Sequence, residues 1–212
     1  MTYLADVGAL ARKDLLLELR ARDTIPAMLL FVVSTLVVFH FVLPTGSSDL
    51  AATGLLWVAL LFTALLGLSR AFAAEREQGV IDGLVLAPSD RSAIWLGKAV
   101  SIFAFLGLAE LVAVPAFALF FSGIGGGTVA AVGLADVGIA AVGTLLAGIA
   151  ASSRARELLL PLLFLPLAIP IVIGGVGASV AGAPAKYLGF LALYDAIFGL
   201  VAWASFEYVV TE

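Results

Sequence analysis

Four side chains stand where they could do chemistry in apolar surroundings: His40, Glu110, Asp136 and Asp195. An imidazole can ligate the iron of a porphyrin or accept a proton. It can equally reach lipid headgroups from the end of an apolar run, and both readings of His40 stand. An ionised acid at mid-bilayer costs roughly 3 kcal/mol, so each carboxyl must face protein or water. Brought together, Glu110, Asp136 and Asp195 would form a proton relay; kept apart, they would serve as hydrogen-bonding groups between helices. Asp136 lies near the end of its apolar run, within reach of headgroup water.

With no cysteine and one histidine, the sequence offers no disulfide, no thiolate and no metal site. Nor does it offer a catalytic set. The one Gly-Lys pair, Gly97-Lys98, is followed by Ala99, and Ser92 stands where a phosphate-binding loop needs its first glycine. If the chain works with ATP, another subunit must hold the nucleotide.

The residues around these groups demand lipid. The chain is 63% hydrophobic and 12% charged, about half the roughly 25% charge of a soluble domain. Its apolar residues form six long runs, at about 25–43, 51–74, 93–121, 128–151, 158–181 and 187–210. A hydrocarbon core of about 30 Å takes about 20 helical residues. The runs lack the two-residue alternation of a membrane β-barrel. The expected fold is therefore all-α and integral to the membrane, one permease-like domain over 1–212 with six transmembrane helices. The first run, preceded by 24 residues, reads as a retained helix and not a signal peptide.

Of the eleven basic residues, all but Lys186 fall before the first span, at or beside the connection between the second and third, or between the fourth and fifth. The positive-inside rule puts that side, with both termini, in the cytoplasm. Residues 3–23 read as an interfacial helix with Leu4, Val7, Ala11, Leu15 and Leu19 on one stripe, on which Asp14 and Glu18 intrude. It is either a plain anchor or a docking element. The connection at about 75–92 carries GVIDGLVLAP between charged flanks. A short apolar helix there would lie along the membrane surface and could fill a groove on a soluble partner; the plainer reading is a solvated loop. Pro88 ends it, and Ser89 or Asp90 can cap the third span. The fifth run holds Pro161, Pro166 and Pro170, which should bend or break its helix. Its glycine-rich end, with Gly174, Ala178 and Gly182 at four-residue spacing, suits tight helix packing or a re-entrant piece.

This order resembles the permease subunits of type-2 ABC exporters, and within them the cytochrome c maturation protein B (CcmB, haem exporter protein B) family. Three stretches carry the likeness: KDLLLELRARD at 13–23, AFAAEREQGVIDGLVLAPSDRSAIWLGKAV at 71–100, and RELLLPLLFLPLAIPIVIGG at 156–175. The chain departs from the family pattern at Asp82, where glutamate is commoner, and at Asp90, where a second proline is usual.

The resemblance implies a coupling helix in the 75–92 connection, with Ile81, Leu84, Val85 and Leu86 as its packing surface. Glu75, Glu77 and Asp82 would be its polar rim, with Gly79 and Pro88 shaping it. It implies as partners an ABC ATPase (CcmA-like), a haem-handling membrane subunit (CcmC-like) and a small membrane subunit (CcmD-like). A periplasmic haem chaperone (CcmE-like) would bind transiently, and a second permease copy fits the class; nucleic acid does not. Haem would be a substrate and not a tightly held cofactor, ATP would enter only through the partner, and the site would be the bacterial inner membrane. Other readings are an ABC-2 exporter of another lipid, glycan or drug, or a non-transporting scaffold. A proton-coupled secondary transporter would need inverted repeats, but the long connection occurs once.

Overall fold

The computed structural model describes residues 3–44, 49–72, 75, 90–121, 124–153, 155–180 and 182–211. Among these there are seven helices and no strand. They are α1 (Tyr3–Ala21), α2 (Thr24–Val42), α3 (Asp49–Arg70), α4 (Arg91–Phe120), α5 (Gly126–Ser152), α6 (Arg156–Val180) and α7 (Pro184–Thr211). Helices α2 to α7 are long and apolar enough to cross a bilayer. Their outward surfaces are greasy: Phe41 is 82% exposed and Leu119 81%. A water-soluble monomer does not display such a surface over a whole bundle.

Local rules set the helix ends. The Glu18 carboxylate accepts from the Thr24 backbone N–H at 2.7 Å, satisfying a free donor at the start of α2. Asp90 caps α4 by accepting from the Ser92 N–H at 2.9 Å. Hydrogen bonds from the Ser92 hydroxyl and backbone hold the Asp90 carboxyl below the usual aspartate range. Between α1 and α2, Arg22 adopts φ 57°, and its N–H closes onto the Glu18 carbonyl at 2.9 Å. This left-handed residue ends α1 and turns the chain.

Helix α5 sits at the centre and packs against α3, α4, α6 and α7. Its buried surface mixes small residues, including Ala131, Ala135, Ala140, Ala147 and Ala150, with Val132, Ile139, Val142 and Leu146. Small side chains let helix backbones approach where lipid supplies no hydrophobic drive between helices. The Thr144 hydroxyl, fully buried, bonds back to the Ala140 carbonyl at 2.6 Å. By contrast α2 touches its neighbours through one narrow stripe, Met28, Val32 and Leu36, at four-residue spacing.

Helix α6 runs unbroken through Pro161, Pro166 and Pro170. The Tyr194 hydroxyl of α7 donates to the Leu167 carbonyl at 2.8 Å, within the stretch where prolines thin the ladder of N–H donors. Beyond the prolines the chain stays helical to Val180, and tight packing describes the glycine-rich end as far as that. Gly174 meets Leu191, and Gly175 lies against the indole of Trp57, whose Nε1–H donates to Ser179 Oγ at 3.2 Å. Gly182 faces open space.

Candidate functional site

Helix α1 lies along the first turns of α4. Gly97 makes this approach possible, because a Cβ there would stand 2.8 Å from Leu10 Cβ and 3.3 Å from the Val7 carbonyl. The buried face of α1 carries Val7 and Ala11, while Leu4 and Leu19 of the same apolar stripe are exposed. The two acids that intrude on that stripe both find partners. Glu18 caps α2, and Asp14 meets a lysine of α4.

That lysine is Lys98, with a side chain 5% exposed. An ammonium has three donors and no acceptor. Here it meets three oxygens: the Ala71 carbonyl at 2.6 Å, Glu75 Oε1 at 2.7 Å and Asp14 Oδ2 at 3.1 Å. The Phe72 ring covers the amine, with its centroid 4.8 Å away, a cation–π arrangement. Lys13 completes the group, 2.6 Å from Glu75 Oε1 and 3.1 Å from Asp14 Oδ1. Two cations and two anions thus come from α1, from the start of the connection after α3, and from α4.

Burial sets the energetics. The side chains of Lys98, Glu75 and Asp14 are at most 9% exposed, while that of Lys13 stays 38% exposed. Taking three charges out of water is costly, and only good geometry repays it. Burial pushes the Glu75 carboxyl up, but the Lys98 charge and hydrogen bonds from both lysines outweigh it, so the group rests below the ordinary 4.5. Burial likewise pulls Lys13 down, and its hydrogen bond to Glu75, with the Asp14 and Glu75 charges, holds it above the ordinary 10.5. Both lysines crowd Oε1; the buried Oε2 of Glu75 has no partner among the described residues. An unmet acceptor of this kind costs about 1–3 kcal/mol.

The expected site residues divide. Glu75 is turned inward between two lysines instead of forming a polar rim. Glu77, Gly79, Ile81, Asp82, Leu84, Val85, Leu86 and Pro88 lie outside the described residues. His40 is exposed near the far end of α2, ringed by Phe41, Phe120 and Phe121 with centroids 5.4, 5.4 and 5.8 Å away. Glu110 of α4 and Asp136 of α5 bring their carboxyl groups together. Trp57, Ile139 and Ile171 line a void of about 10 Å³ beside them, room for a single water. Asp195 is elsewhere: it lies against Gly138, both its oxygens buried without a partner among the described residues. Positions two apart on a helix point to nearly opposite sides, so Asp136 and Gly138 serve different faces of α5. The acids thus form a pair and a single, set on separate faces. Among the described residues no group of acids and histidine could hold a metal ion.

Lys13, Asp14 and Lys98 join the site although, of this cluster, only Glu75 was an expected site residue. The signals were there: an aspartate on an apolar stripe, and a lysine seven residues inside a helix of membrane length. A cavity of about 400 Å³ opens beside the cluster, walled by Leu65, Leu68, Phe72 and Leu160, with Arg70 and Glu157 also lining it.

Six bilayer-length helices with a buried ionic cluster at one end define a polytopic membrane protein. Residues 6–207 match the model of the CcmB protein family, and the chain belongs to that family. It is 30% identical over 212 residues to heme exporter protein B of Bradyrhizobium diazoefficiens, covering 94% of this chain and 96% of that relative. It is 34% identical over 193 residues to heme exporter protein B of Paracoccus denitrificans, covering 87% and 88%. The namesake from Rhodobacter capsulatus is 35% identical over 188 residues, covering 82% and 83%.

Proposed function

We propose that this chain is the membrane permease subunit of an ATP-driven haem exporter serving cytochrome c maturation in the bacterial inner membrane. The observation that carries the reading is family membership along nearly the whole chain, with relatives named heme exporter protein B. The chain is not an enzyme; a separate CcmA-like ATPase subunit hydrolyses ATP. That ATPase bears on the connection after α3, where Ile81, Leu84, Val85 and Leu86 supply the apolar contact. Haem passes as substrate and is not retained. The CcmC-like and CcmD-like membrane subunits and the CcmE-like chaperone complete the assembly.

Orientation follows from charge. Lys13, Arg70, Arg91 and Lys98 belong to α1 or to the ends of α3 and α4 that meet it, and the positive-inside rule assigns that end to the cytoplasm. The deciding experiment is pull-down of the tagged chain from native membranes, with partners identified by mass spectrometry. Recovery of an ABC ATPase and a periplasmic haem chaperone supports the reading. Recovery of an ATPase with enzymes of glycan or lipid export would replace haem by that cargo, and absence of any ATPase would reject the motor.

A further inference from the structure

Helix α1 holds both feet of the connection between α3 and α4. At the first foot, Lys13 binds Glu75 at 2.6 Å across 62 positions of sequence. At the second foot, the hydroxyls of Tyr3 and Ser92 meet at 3.2 Å, and Ser92 in turn holds Asp90 at 2.8 Å. Tyr3 and Lys13 are ten residues apart on one helix, about 15 Å along its axis. Between them Gly97 lets α1 and α4 touch backbone to side chain. Lys98 then ties the first foot to α4 through Ala71, Glu75 and Asp14 together.

We infer that α1, the two feet and the first turns of α4 move as one rigid piece, and that the Lys13–Asp14–Glu75–Lys98 cluster is the joint that makes it rigid. This rests on the reading that the ATPase bears on the connection. A push there then reaches α4 directly, because the first foot cannot swing without breaking the buried Lys98–Glu75 bond, nor the second without parting Ser92 from Tyr3. Three features favour a joint over an incidental ion pair. Lys98 is held by two hydrogen bonds and an ion pair. Its partners come from two segments outside its own helix, α1 and the start of the connection. The cluster is formally neutral, so it holds without a counter-ion. Glu75 and Lys98 are positioning residues: they touch no substrate and act through the connection.

The test uses the whole complex in its own membrane. Glu75→Gln and Lys98→Met are expected to lower holocytochrome c output roughly fivefold, the lower end of coupling between sites. The amount of chain in the membrane and the co-purifying ATPase should stay unchanged. Where either single variant is lost from the membrane, a second arm decides. The chain has no native cysteine, so Lys13→Cys with Glu75→Cys gives a unique thiol pair. Bridging it in spheroplasts with a short, permeant bis-maleimide should restore the holocytochrome c output that the unbridged pair loses. Full output from the unbridged pair, or no recovery on bridging, overturns the joint. If the wild-type chain brings down no ATPase, the motor reading fails instead; with the ATPase present and bridging silent, only the joint fails.

Discussion

The Lys98 amine and the Glu75 carboxylate, 23 residues apart in sequence, stand 2.7 Å from each other with side chains only 5% and 3% exposed. Removing Lys98 leaves Glu75 and Asp14 to share Lys13 alone, and breaking a buried pair costs about 3 kcal/mol. Lys98→Met should therefore lower the unfolding midpoint of the purified protein clearly. Adding Glu75→Gln should cost much less than the sum of the two single changes, because neighbours in one network are not additive. Additive losses in a double-mutant cycle would show that the two groups do not interact.

Acid should loosen the cluster. Glu75 in the fold titrates below the ordinary 4.5, so its contribution is complete above that pH and is lost as pH falls through the folded value. Lys13 titrates above the ordinary 10.5, so its contribution is complete below that pH and fades only as pH rises through the folded value. Thermal midpoints followed from pH 7 downward should drop below about pH 4.5 in the wild type. That acid limb should be shallower in Glu75→Gln, and identical profiles would refute the assignment.

Two glycines should respond in opposite directions. A Cβ on Gly175 would strike the Trp57 indole, so Gly175→Ala should destabilise by about 1–3 kcal/mol through overpacking. Gly54 lies inside α3 with nothing within 4 Å of a new Cβ. There Gly→Ala should stabilise by about 0.5–1 kcal/mol through backbone entropy. Melting curves in one detergent compare them directly.

His40 sits exposed among phenylalanines, well removed in the fold from the ionic cluster. His40→Ala should leave holocytochrome c at the wild-type level. A loss that His40→Met partly repairs would restore the iron-ligand reading, since thioether sulfur also serves haem iron.

Leu84→Asp should stop the ATPase from co-purifying while the chain still inserts. A charge in an apolar contact must be desolvated without a partner. Unchanged co-purification would move the docking surface off the connection.

Much of this fold could be read from residue order. A run such as Ile25–Val42 has no charge and no two-residue alternation, so only a helix in lipid satisfies its backbone. Asp90 before Ser92 announced its cap by residue type. Asp14 and Glu18 announced only a misfit, because one carboxylate's partner was 84 positions away and the other's was a backbone N–H. The prolines of α6 promised a bend or break; the helix does not break, and the Tyr194 hydroxyl that meets its Leu167 carbonyl is a neighbour no local pattern names. Pairing of Glu110 with Asp136, and the separation of Asp195 from both, depend on helix rotation, which apolar density alone does not fix.

On α5, Gly143 leaves a hollow filled by Leu68 of α3, and Gly148 one filled by Phe206 of α7. Long side chains build ridges that seat in grooves and resist sliding. Seated this way, α3 and α7 are keyed to α5, so a tilt of either must carry α5 along or lift a side chain out of its hollow.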